Sequence, residues 1–108
     1  MTGTMSDPDF NFLSLPDFLL VEIEKRLIVL RSDLRHRNPS LLVEPLQRLT
    51  KIRGNFAFDL ISSIAWAAEV VCKDASGRAL NEVEVKSLSH AFDSMDRARR
   101  TAILAAVA

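Results

Sequence analysis

The stretch NFAFDLISSIAWAAEVVC, residues Asn55 to Cys72, limits what this chain can fold into more than any other part of it. Only Asn55, Asp59, Ser62, Ser63 and Glu69 interrupt its apolar run. Water cannot be left against such a surface, so lipid, the chain's own core or a second copy must cover it. Lipid suits it poorly, because the run falls short of the ~18 uninterrupted apolar residues of a spanning helix. Asp59 and Glu69 inside it would each cost ~2.5–3.5 kcal/mol near a bilayer centre. A chain of 108 residues makes one domain. The choice is therefore between its core and a partner copy.

Helical periodicity runs through most of the sequence. Leu20, Ile23, Leu27, Leu30 and Leu34 recur at spacings of 3, 4, 3 and 4, the seam of a helix that faces another helix. Phe18, Val21 and Ile28 form a second apolar strip on the same helix. Ser14 is its candidate N-cap, with Asp17 as capping-box partner and Pro16 in the first turn, and Asn38-Pro39 ends it. Residues 1–13 read as a flexible N-terminal lead-in and 14–108 as a single helical domain. Phe10 and Phe12 in the lead-in are either a docking segment or aromatics that lie on their own domain.

Residues 38–45 read as a connection or a short turn of helix. From Pro45 the period predicts one helix to Lys73, with two apolar strips. One strip runs through Leu46, Leu49, Arg53, Phe56, Leu60, Ile64, Ala67 and Val71. The other holds Gly54, Phe58, Ile61, Ala65, Ala68 and Cys72. Gly77 supplies the left-handed residue of the following turn, and Asn81 caps the next helix with Glu84 three positions on. FDSMD (92–96) reads as a second helix start, with Asp93 or Ser94 as cap. No segment alternates like a strand. The expected fold is all-α: a small bundle of three to four helices with a long central helix, completed by dimerisation.

The dimer follows from length. A helix from 45 to 73 would run roughly 43 Å, whereas a compact globule of this size is about 34 Å across. A homodimer joined through Gly54, Phe58, Ile61, Ala65 and Ala68, with Trp66 beside them, would cover what one chain leaves open. In the monomeric alternative Gly54-Asn55 bends the helix and its halves fold back on each other.

The chemistry is sparse. Fourteen basic residues balance fourteen acidic ones, so overall charge offers nothing to a nucleic acid. Cys72 is the single cysteine, which rules out an intrachain disulfide and suits a reducing cytoplasm. On an apolar strip it reads as a small inert hydrophobe. Neither His36 nor His90 has a second histidine or cysteine at i+3 or i+4, so no metal site is expected. No phosphate-binding glycine loop or nucleophile elbow is present, and no cofactor is expected. The amino-terminal MTGTMSDPDF lacks the basic region and apolar run of a secretory signal.

Arg31 and His36 form an R-x4-H pattern that resembles the catalytic motif of HEPN-type ribonucleases, all-α proteins that dimerise to bring two such motifs together. That resemblance implies phosphate clamping by Arg31 and general acid–base work by His36; the plain alternative is a basic helix end facing its own dipole. Two clusters, Arg31/Arg35/Arg37 and Arg97/Arg99/Arg100, are the residues a nucleic-acid-binding regulator would use. The leading expectation is a non-enzymatic helical interaction protein: a small dimeric regulator or adaptor that binds another protein, with Trp66, Phe56 and Phe58 as anchors.

Overall fold

Among the described residues four helices form: α1 (Pro8–Leu34), α2 (Pro39–Leu49), α3 (Phe56–Asp74) and α4 (Glu82–Val107). The computed structural model describes residues 8–52 and 56–107, with side chains over 18–52 and 57–104. No strand occurs among these residues, so the all-α expectation holds, at four helices. Each helix packs on two neighbours: α1 on α2 and α4, and α3 on α2 and α4. Among the described residues the backbones of the diagonal pairs α1/α3 and α2/α4 do not approach closely, and those helices meet only through side chains at the centre. The result is an up-and-down ring of four antiparallel helices. Its extents of 51 × 27 × 19 Å match two helix layers stacked at ~10 Å along long axes.

The core is the set of apolar seams read from the sequence. Ile23, Leu27 and Leu30 of α1 meet Leu42, Leu46 and Leu49 of α2, Ile61, Ala65 and Cys72 of α3, and Leu88, Phe92 and Met95 of α4 in one buried cluster. Ala65, Ala68, Ala98 and Ala102 are buried where α3 and α4 lie against each other, since small side chains let backbones approach closely. Glu22 and Arg26 make an i,i+4 pair at 2.6 Å.

Three expectations need correction. The long helix from 45 to 73 is two helices: α2 ends at Leu49, and Thr50 to Ile52 turn away from it. Local hydrogen bonds accompany that break. The Thr50 hydroxyl donates to the Gln47 carbonyl at 2.6 Å, and the amides of Lys51 and Ile52 close tight i→i−3 bonds to Arg48 and Leu49. The Thr50 carbonyl accepts the Ser62 hydroxyl at 2.8 Å from α3. Gly54, the bending point of the monomeric alternative, lies outside the described residues. The helix also begins earlier than Pro45. Asn38 caps it, accepting the Ser40 amide at 3.1 Å, Pro39 fills the first position, and Pro45 sits inside.

The second correction concerns the strip assigned to a partner copy. Phe58, Ile61, Ala65, Ala68 and Cys72 are all buried within one chain. Once α2 and α3 fold into a hairpin, that strip faces α2 and α4 and is closed to a second copy. Third, α4 runs unbroken through FDSMD. Leu88, Phe92, Met95 and Ala98 keep one apolar seam across it, while Asp93 turns outward to Arg31 of α1 at 2.9 Å. α1 begins at Pro8, ahead of the expected Ser14 cap. Residues 1–7 of the lead-in, and the side chains of Phe10 and Phe12, lie outside the described residues.

Candidate functional site

α1 has a second seam. Phe18, Val21, Lys25, Ile28 and Ser32 follow one another at 3, 4, 3 and 4, and all are exposed. At 100° per residue they lie across the helix axis from the buried Leu20–Leu34 seam. Phe18 is 62% exposed, Ile28 61%, Val21 48% and the adjoining Val29 47%. The bundle covers one side of α1 and leaves a heptad-like apolar stripe on the other, interrupted only by Lys25 and Ser32.

α3 carries a smaller open face. Trp66 is 64% exposed, with exposed Val70 about one turn beyond it and exposed Leu60 six residues before it. Thr50, Ser62, Ser63 and Trp66 line a shallow recess of about 260 Å³. Trp66 therefore stands outside the core. Of the expected anchors, Phe58 is buried, while Gly54 and the Phe56 side chain lie outside the described residues. Because α1 and α3 are diagonal partners in the ring, their outer faces look away from each other.

A third feature lies at the end of the bundle where two chain reversals meet. α1 closes with Arg37 in the left-handed region at φ 55°, and the α3–α4 connection turns at Gly77 with φ 90°. The Leu80 amide donates to the Arg37 carbonyl at 2.8 Å and ties the two reversals together. Between them opens a cleft of about 820 Å³, lined by His36, Arg37, Ser40, Val43, Cys72, Lys73, Ser76 and Arg78 among others.

Polar pairing stiffens one wall of this cleft. Asn81 and Glu84 form the expected capping box: the Glu84 amide donates to Asn81 Oδ1 at 2.8 Å and the Asn81 amide to Glu84 Oε1 at 2.9 Å. Arg78 grips the same carboxylate with two bonds of 2.8 and 2.7 Å. The Arg78 guanidinium, joined by the Asn81 amide, holds the Glu84 carboxyl down at about 2. Glu69 is buried on the α2-facing side of α3, and the Lys73 ammonium at 3.0 Å, helped by Gln47, lowers its pKa against the opposing effect of burial. Burial, reinforced by the nearby carboxylates of Glu84 and Glu69, pushes the Cys72 thiol up to about 11. A buried thiol held there is a poor nucleophile at neutral pH.

The R-x4-H residues separate. Arg31 is engaged with Asp93 on the side of the bundle, whereas His36 lies in the turn beyond α1 and lines the cleft. The arginine clusters are largely paired. Arg99 and Arg100 both hold Asp96, at 3.0 and 3.1 Å, and Arg97 donates to Ser94. Among the described residues no group of three metal-binding side chains occurs, and no helix is long and apolar enough to cross a membrane.

No protein-family model matches the chain, and no curated protein or solved structure matches it either.

Only part of these sites carried a sequence signal. The Phe18–Val21–Ile28 strip was visible as period. The cleft was not, because its walls come from turns forty residues apart.

Proposed function

We propose that this chain is a non-enzymatic helical interaction protein, a small dimeric adaptor or regulator. It pairs with a second copy through the outer seam of α1 and meets another protein through the Trp66 face of α3. The observation that carries this reading is the doubled seam of α1. A helix that packs in its own bundle needs one apolar stripe, and this one has a second, at coiled-coil spacing, on the side with no neighbour. Two copies related by a twofold axis would lay like stripe against like. Lys25, polar in the middle of the seam, would fix the register at some cost in stability. An exposed tryptophan on the opposite flank is the kind of side chain that anchors a protein partner. A single buried thiol suits the cytoplasm.

Light scattering tests the pairing. The 12.1 kDa chain should return twice that mass, and Phe18→Glu with Ile28→Glu should return the single-chain value at unchanged helix content. A wild-type mass of one chain up to its solubility limit removes the dimer. Trp66 is the only tryptophan, so its fluorescence reports on the other face. Its emission should stay constant as the dimer is diluted apart; a shift would move the dimer contact onto α3.

A further inference from the structure

The cleft between the two reversals is independent of both apolar faces, and its charge is one-sided. The chain has as many acids as bases, yet among the described residues no Asp or Glu lines this recess. His36 and Arg37 reach it from the α1–α2 turn, and Lys73 and Arg78 from the opposite wall. The carboxylates that hold Lys73 and Arg78, Glu69 and Glu84, are not part of its lining. Both cations remain about half exposed with donors to spare. Among the described residues, no ion pair or side-chain hydrogen bond engages Arg37 or His36. The start of α2 also borders the recess, but Asn38 already takes the Ser40 and Leu41 amides, so the side chains supply the attraction. Val43 and Cys72 give part of the lining an apolar character.

We propose that this cleft binds a small organic phosphate, its phosphoryl group held by Arg37, Lys73 and Arg78 and its apolar part resting near Val43. Volumes of ~300–1,000 Å³ are those of small-molecule sites. Cations on two walls suit a dianionic, tetrahedral group that accepts bonds from several directions better than a flat carboxylate that one arginine satisfies.

Phenyl phosphate, inorganic phosphate and benzoate are the probes, titrated against the full chain while backbone amide resonances are followed. Phenyl phosphate should move the amides of Arg37, Lys73, Gly77 and Arg78 saturably, and bind more tightly than either other probe. Arg37→Asn keeps a residue that tolerates the left-handed backbone and should weaken binding about tenfold. Lys73→Gln, on the opposite wall, should weaken it similarly, and Arg48→Asn, outside the cleft, should leave it unchanged. The amide spectrum of each variant shows whether it is folded, and either cleft variant alone suffices. Shifts that are absent or map elsewhere, or binding indifferent to both cleft substitutions, overturn the proposal. Equal affinity for benzoate overturns the phosphate, and equal affinity for inorganic phosphate overturns the apolar part.

Discussion

At the scale of single residues, the account rests on side chains that finish what the backbone leaves open. Asn81 and Glu84 satisfy each other's amides at the start of α4, and Arg78 clamps the same carboxylate. Asn81→Ala should cost about 1 kcal/mol in urea unfolding, the usual loss for an N-cap. Glu84 also sets a pH dependence. Its carboxyl lies near 2 in the folded chain against 4.5 for the free group, so the folded state holds the charged form more strongly. Its contribution is complete above about pH 4.5 and is lost as pH falls from there towards 2. Glu84→Gln should flatten that part of the stability profile, and a profile as steep as the wild type's would show that other carboxylates carry it. Arg37 presents the opposite case. It occupies a left-handed conformation that costs a non-glycine residue energy, and its carbonyl is fixed by Leu80.

At the scale of elements, the decisive event is the break after Leu49. The sequence period passes through it without a phase change, and period alone therefore predicts a single rod. At the break the Thr50 side chain bonds back to the Gln47 carbonyl, and Ser62 of α3 donates to the Thr50 carbonyl. A serine inside the most apolar stretch looks like an imperfection in sequence, and in the fold it seals the end of α2. Ser62→Ala should lower stability by about 1 kcal/mol in thermal or urea unfolding, with no loss of helix content. The reading of α4 as two helices fails for a related reason: Asp93 and Ser94 resemble caps, but their partners are Arg31 and Arg97. Seams, capping box and glycine turn were legible because they depend on neighbours within about eight positions. The break, the covered strip and the cleft depend on which helix lies opposite, and no local pattern states that.

At the scale of the whole molecule, one chain covers its own apolar middle. The strip through Phe58, Ile61, Ala65 and Ala68 is spent inside the ring, and among the described residues the apolar faces left open are the outer seam of α1 and the Trp66 face of α3. The hairpin of α2 and α3 is what makes this so, and a distance between spin labels at positions 40 and 76 tests it most directly. Ser40 and Ser76 are exposed and line the same cleft. The hairpin predicts a separation of about one helix-to-helix spacing, ~10 Å, plus the label arms. A helix running on through residue 50 would hold the two sites about 50 Å apart at 1.5 Å per residue, and a distance of that size would contradict the account.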